Sequence, residues 1–260
     1  MALVVIDPGH GGSDAGAVNG SYKEKNFTLD IGLRVRDYLL TRYQVNMVMT
    51  CTSDTYPTLS ERVALANSKN ADYFCSIHIN AGGGTGWESY IYDGSVSQKT
   101  VNCRETIHNH VMSVIGPKYG VKNRGKKRAN FYVLRETNMP AVLLENLFID
   151  SADLKLLTNS GFIQDLSNAI GEGIAKALDL PAKTLYKVIA GSYKEEANAK
   201  DLQKYLKSKG IDSIIWTVHI DGTVYYRVQA GAFQSLDYAQ QRLEELKRAG
   251  IPDAYILKTD

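Results

Sequence analysis

The sequence predicts an α/β protein: a mostly parallel sheet flanked by helices, followed by a small α+β domain of βαββαβ (ferredoxin-like) order. Three observations carry this. Short apolar runs alternate with amphipathic helical stretches as far as residue 180. An eight-residue strand pattern then recurs 40 residues later without a gap. Between the two regions, Pro181 closes the preceding helical stretch. The expected organisation is a domain over residues 1–180, a linker over 181–185 and a second domain over 186–260.

In the first region, strands are expected at the apolar runs 3–6, 45–49, 73–79, 90–92, 132–134 and 141–144. Phe27, Ile31, Val35, Tyr38 and Leu39 recur at helical spacing, as do Leu59, Val63 and Ala66, and later Ile163, Leu166, Ile170 and Ile174. A further helix is expected over 101–114. The basic stretch Lys118, Lys122, Arg124, Lys126, Lys127 and Arg128 reads as a solvated loop, with steering of an anionic polymer as the minority reading.

In the tail, Tyr186-Lys187-Val188-Ile189-Ala190-Gly191-Ser192-Tyr193 matches Tyr226-Arg227-Val228-Gln229-Ala230-Gly231-Ala232-Phe233. Ala199 matches Ala239, Leu206 matches Leu246, and Gly210-Ile211 matches Gly250-Ile251. Each copy reads strand, helix, strand, with Gly210 ending the first helix. Asp221-Gly222 is a hairpin signal joining the copies.

Composition excludes several classes. The charge is +2, from 30 basic and 28 acidic residues, with no polybasic domain, so no nucleic-acid partner is expected. No apolar stretch approaches bilayer length, so no membrane insertion is expected. Cys51, Cys75 and Cys103 are odd in number and lack CxxC spacing, which argues against a disulfide framework or a thiolate metal site. The N-terminal residues lack a basic head and a long apolar core, so synthesis in the cytoplasm without a signal peptide is expected.

Three ionisable residues fall at or beyond the ends of apolar runs: His10, His78 and Glu145. Parallel strands would gather them at one sheet edge, where open α/β sheets bind ligands. Glu24 lies in the polar loop leading into the first helix. Two histidines and a carboxylate suit a catalytic zinc site with water in the fourth position, and a second carboxylate can move the proton. Spacing does not say which glutamate does which. Singly, His10 also suits a tight glycine turn, and Glu24 a favourable charge before a helix. Asn80, beside His78, is a candidate for orienting substrate. His108 and His110 are two apart in a helical stretch and point in different directions, so no second metal is expected.

Asp7-Pro8-Gly9-His10-Gly11-Gly12 resembles the opening of the zinc-dependent N-acetylmuramoyl-L-alanine amidases of the amidase-3 family. Further matches follow in family order: Glu24, then Arg62 and Asn67, then Ser76-Ile77-His78-Ile79-Asn80. Tyr132-Val133-Leu134-Arg135 and Met139-Pro140-Ala141-Val142-Leu143-Leu144-Glu145 complete the set. The resemblance covers residues 2–178 and implies that His10, Glu24 and His78 hold Zn2+ and that Glu145 is the catalytic acid/base. It implies cleavage of the amide joining N-acetylmuramic acid to the L-alanine of the stem peptide. One departure follows Glu145, where Leu147 stands in place of a small residue.

The tail resembles a SPOR-type peptidoglycan-binding module, which implies binding of glycan strands on a sheet face. Tyr193 and Phe233 are equivalent in the two copies, and Tyr225 adds a third ring. An RNA-binding domain shares this topology, but the near-neutral tail and the lack of a matching RNP1 run argue against it. The alternative to an enzyme is a non-catalytic wall-binding protein with an amidase-like domain. Without a signal peptide, the resemblance implies action on the cell wall after lysis or by a non-classical route, as for a phage endolysin or a sporulation autolysin.

Overall fold

The computed structural model describes residues 1–259. In chain order the elements are β1 (Leu3–Pro8), β2 (Val18–Asn19), β3 (Tyr22–Lys23), α1 (Glu24–Arg42), β4 (Asn46–Met49), α2 (Leu59–Ser68), β5 (Tyr73–Asn80) and β6 (Trp87–Tyr92). There follow α3 (Gln98–Tyr119), β7 (Asn123–Ala129), α4 (Tyr132–Arg135), β8 (Ala141–Phe148), α5 (Leu154–Leu157) and α6 (Ser160–Ala177). The tail holds β9 (Leu185–Tyr193), α7 (Glu196–Ser208), β10 (Ile214–Ile220), β11 (Thr223–Phe233), α8 (Leu236–Arg248) and β12 (Tyr255–Thr259). The chain divides into two units, Met1–Pro181 and a second beginning at Ala182.

The first unit is built on a six-stranded sheet of order β4-β1-β5-β8-β6-β7. Pairing is parallel except between β6 and β8. Its central strands are buried on both faces, which is why they read as near-continuous apolar runs. The half-buried interruptions in β5 and β8 are His78, Asn80 and Glu145.

Strand alternation assigns the two faces. Val4, Ile6, Cys75 and Ile77 meet α1, α3 and α6 in the larger core, through Ile31, Val35, Ile107, Val111 and Leu166. Val5, Phe74 and Leu143 meet α2 and α4 in a smaller core with Val63, Ala66, Val133 and Leu134. Asp7, His78, Glu145 and Glu88 have the parity of that second face. The catalytic candidates therefore sit where the covering helices are shortest.

Local chemistry starts and stops the helices. At α2, the Thr58 hydroxyl accepts from the Glu61 amide at 3.3 Å, and the Glu61 carboxylate accepts from the Thr58 amide at 2.7 Å, a capping box. Ser97 caps α3, and Gly120 ends it at φ 68°, in the left-handed region.

Three expectations change. Residues 132–134 are not a strand but the helical turn α4. Three apolar residues are too few to separate a period of 2 from one of 3.6, and burial of Val133 and Leu134 against α2 decided the matter. The basic stretch is not a solvated loop: Lys118 lies in the last turn of α3, and Arg124, Lys126, Lys127 and Arg128 lie on edge strand β7. Charged side chains suit an edge, where they block pairing with another chain. Here they are also neutralised, since Arg124 and Lys127 pair with Glu88 and Lys126 with Glu105. Leu59, grouped with a buried stripe, is exposed.

The tail forms an antiparallel sheet of order β10-β11-β9-β12, with α7 and α8 supplying the βαββαβ sequence. The repeat is legible in its core. Val188, Ala190, Ala199 and Leu206 are buried with Val228, Ala230, Ala239 and Leu246, their counterparts 40 residues on. Asp221 and Gly222 have φ of 48° and 74°, the left-handed pair of a type I′ hairpin.

Among the described residues no helix is long and apolar enough to cross a membrane. Cys51, Cys75 and Cys103 are buried free thiols.

Candidate active site

A buried ion pair sets the geometry. Asp7, at the end of β1, and Arg62, on α2, meet at 2.6 Å with side chains 1% and 2% exposed. Asp7 also accepts from Thr50 and Ser76, each at 2.7 Å. The Arg62 guanidinium donates further to the carbonyls of Pro8 at 2.5 Å, His10 at 2.7 Å and Pro57 at 2.9 Å. An arginine is suited to this because its five donors form a rigid fork. The result is a loop after β1 held at its carbonyls, with His10 at φ 64°.

His10 is oriented from behind. Its Nδ1 meets Asp14 Oδ2 at 2.8 Å, which leaves Nε2 facing Glu24 Oε2 at 3.1 Å. Glu24 is the first residue of α1, where the helix dipole favours a negative charge. Its carboxylate accepts from the amides of Ala17 and Ile79, each at 2.9 Å. From β5, His78 Nδ1 meets Glu24 Oε1 at 3.0 Å. The two imidazoles stand edge to face, 5.0 Å between centroids. Glycines make this approach possible: a Cβ at Gly9 would collide with the His78 ring, and one at Gly16 would lie 2.6 Å from Glu24 Oε2.

One potential ligand atom from each of His10, Glu24 and His78 lies within 4.8 Å of the others. Burial alone would lower the His10 imidazole, but hydrogen bonds and charge from Glu24 and Asp14 outweigh it and raise it to about 9. His78 is raised too, Glu24 again outweighing burial. Burial would raise Glu24, yet its bonds to both histidines hold it far below the usual carboxylate range. One carboxylate thus draws positive charge onto two rings, the charge a divalent cation brings. Two imidazoles and a carboxylate, with Asp14 behind one imidazole, fit such an ion.

Glu145 is the register partner of His78 on one side and Glu88 on the other, so the three form a row across β5, β8 and β6. Its Oε2 is buried without a hydrogen-bond partner. Burial pushes the carboxyl up to about 7, with His78 opposing and the Glu24 and Glu88 charges adding. His10, His78 and Glu145 line a cleft of about 270 Å³.

Other candidates fall elsewhere. Asn80 donates to Glu88 at 2.8 Å and accepts from the Ala81 amide at 2.8 Å, and it is not among the residues lining the cleft. Leu147 lies in the large core at φ 72°, beside a register shift between β5 and β8. His108 bonds Ser89 and Asn123, whereas His110 lies beside Glu172 and Lys176. Sequence reasoning missed Glu88, which is 1% exposed and held by Arg124, Lys127, Tyr90 and Asn80. Alternation with Tyr90 was the available signal.

In the second unit, Tyr193 and Tyr225 line a cleft of about 640 Å³ together with Arg227 and Tyr255. Phe233 does not line it. It packs against the core, over Gly231, with the Arg242 guanidinium 5.8 Å from its centroid. Trp216, not singled out from the sequence, has Lys187 and Arg227 over its ring at 4.7 and 5.4 Å.

Comparison with known proteins adds the family. Residues 4–176 match the amidase-3 family, described as N-acetylmuramoyl-L-alanine amidase, and residues 182–258 match the SPOR domain. The chain is 44% identical over 220 residues to the sporulation-specific N-acetylmuramoyl-L-alanine amidase of Bacillus subtilis, covering 83% of this chain and 84% of that one. It is 44% identical over 185 residues to the endolysin of Bacillus phage SPP1, covering 70% and 68%. Among solved structures, the catalytic domain of the amidase CwlV from Bacillus (Paenibacillus) polymyxa aligns with a TM-score of 0.64 at 33% identity, covering 69% of this chain and 99% of that one. The chain therefore belongs to the amidase-3 family of N-acetylmuramoyl-L-alanine amidases and carries a C-terminal SPOR domain.

Proposed function

We propose that this peptidoglycan amidase holds one zinc ion through His10, Glu24 and His78 and uses Glu145 to move the proton during cleavage of the N-acetylmuramoyl–L-alanine amide. The observation that carries this is the convergence of three ligand atoms within 4.8 Å, two of them from residues that line the cleft together with Glu145, whose Oε2 is buried and has no hydrogen-bond partner among the described residues. When bound, zinc supplies a Lewis acid for the amide carbonyl and makes water acidic enough to attack near neutral pH.

The chain's own residues do the rest. Asp14 keeps His10 Nδ1 occupied and so presents Nε2. Arg62 fixes the carbonyls of the His10 loop, so the ring does not have to be ordered at the moment of reaction. Glu145, its Oε2 buried beside His78, is positioned both to accept a proton from the attacking water and to return it to the departing alanine nitrogen. The aromatic cleft of the SPOR unit, with Tyr193 and Tyr225, supports anchoring to glycan strands. The names of its relatives, a sporulation-specific amidase and an endolysin, support a setting in which it meets the wall once lysis releases it.

The test is metal analysis and turnover of wild type and Glu145→Ala on purified wall. One zinc is expected in both, with free L-alanine amino ends appearing only with wild type. Zinc loss in the variant would reassign the roles of ligand and base. Full zinc with no release by wild type would favour the non-catalytic wall-binding alternative.

A further inference from the structure

The mouth of the catalytic cleft is apolar. Tyr56, Leu59, Phe131 and Tyr132 are 44, 52, 38 and 36% exposed, and all four line the opening that holds His10, His78 and Glu145. They come from two segments, the loop and first turn of α2 and the start of α4. Each segment is supported from behind. A Cβ at Gly12 would lie 3.0 Å from the Tyr56 amide nitrogen, so the two loops are in close contact. Phe131 packs edge-on against Tyr90 with centroids 5.4 Å apart, and the Arg135 guanidinium lies 5.4 Å from the Tyr132 centroid. Exposed apolar side chains scattered singly mean little, but four around one opening mark a binding surface.

Apart from the proposed zinc and its two histidines, the lining of the cleft offers no free lysine or arginine. Among the residues that line it, Arg62 is the one lysine or arginine, and its bonds go to Asp7, Pro8, His10 and Pro57. The lining carboxylates are Asp7, Asp14 and Glu145. Arg135, behind Tyr132, donates to Glu136 and Asn130. A substrate carboxylate entering here finds no free lysine or arginine among the lining residues.

Resting on the amidase reading, we propose that the rim of Tyr56, Leu59, Phe131 and Tyr132 selects substrate by the apolar flanks of the scissile amide and disregards the charge of the stem residue that follows. Those flanks are the lactyl methyl on the muramoyl side and the alanyl methyl on the peptide side. Each gains by leaving water against an aromatic or leucine surface. A carboxylate on the second stem residue gains nothing from the cleft, so its conversion to a carboxamide costs nothing.

The experiment uses the full-length, zinc-loaded protein and two soluble muramoyl-L-alanyl dipeptides that differ in a carboxylate or a carboxamide on the second residue. The two are expected to have kcat/KM within about threefold of each other. In Leu59→Ala and Tyr132→Ala, KM should rise about three- to tenfold with kcat little changed, the loss expected for uncovering one apolar contact. Tyr132→Phe should keep wild-type KM. Calorimetric binding of the dipeptides to Glu145→Gln carrying the same rim changes should weaken in parallel, a readout independent of turnover.

Preference for either form beyond about threefold, or unchanged KM and affinity in both alanine variants, would overturn the rim proposal and leave the amidase reading standing. Failure of wild type to cleave either dipeptide at the muramoyl–alanine bond would remove both.

Discussion

His78 and Glu145 are register partners on adjacent parallel strands, one engaged through Nδ1 with Glu24 and the other with a buried Oε2 that has no hydrogen-bond partner among the described residues. Their side chains share a sheet face because pairing in register preserves the alternation of both strands. A ligand candidate and a proton-transfer candidate are thereby set side by side on rigid backbone rather than on loops. Two expectations follow from the supports of this site, and two more from a buried histidine and from the separate cores of the two units.

Asp14 acts on the ion through His10. Asp14→Ala removes the carboxylate at 2.8 Å from Nδ1 without touching the cores. Zinc affinity should fall about 10- to 100-fold, as for other partners behind a ligating histidine. Competition with a chelator measures this, and the unfolding midpoint of the metal-free protein should barely move. Equal zinc affinity in the two proteins would show that Asp14 does not orient the ring.

Arg62→Met should be costly twice. It leaves Asp7 buried and uncompensated, which destabilises by about 3–5 kcal/mol. It also frees the carbonyls of Pro8 and His10, so zinc binding should weaken even in molecules that remain folded. Denaturant titration reads the first effect and metal titration of the folded fraction the second. The double variant Asp7→Asn with Arg62→Met should recover part of the stability but not the zinc affinity.

His108 contributes a pH dependence of its own. It is 1% exposed, its ring 5.0 Å from that of Trp87, and it bonds Ser89 Oγ at 2.8 Å and Asn123 Oδ1 at 2.9 Å. Burial holds its imidazole below the ordinary value, with the Lys126 and Arg104 charges adding and Asn123 and Glu105 opposing. The unfolded chain therefore takes up a proton near pH 6.5 while the folded chain resists. This stabilisation is complete above pH 6.5 and is lost as pH falls toward the folded value. Wild type should lose stability more steeply than His108→Gln on going from pH 7.5 to 5.5. Parallel denaturation curves over that range would contradict a neutral buried imidazole.

The two units have separate cores, so the first should stand alone. A chain ending at Pro181 should cleave soluble muropeptides at the full-length rate and lose potency on intact walls. Wall pull-down with the same chain should show weaker retention. Equal potency on walls would remove the anchoring role proposed for the SPOR unit.

Much of this was legible in the residues. The tail repeat predicted its strand order and core, because each copy buries the same small and branched positions: Val188 with Val228, Ala190 with Ala230 and Leu206 with Leu246. Near-continuous apolar runs marked the central strands, since burial on both faces leaves no alternation. The edge was not legible. β7 carries charges that a sequence alone assigns to solvent, and α4 is too short to show a period.

By itself, the sequence determined the two-part α/β and βαββαβ architecture and the residue types able to hold an ion, because periodicity and residue chemistry are local properties. Tertiary structure decided that Glu24 bridges His10 and His78, that Glu88 stands beside Glu145, and that Tyr56, Leu59, Phe131 and Tyr132 ring one opening. It also brought Tyr193 and Tyr225, but not Phe233, into the lining of one cleft. Such relationships depend on strand order, register and loop closure across many intervening residues.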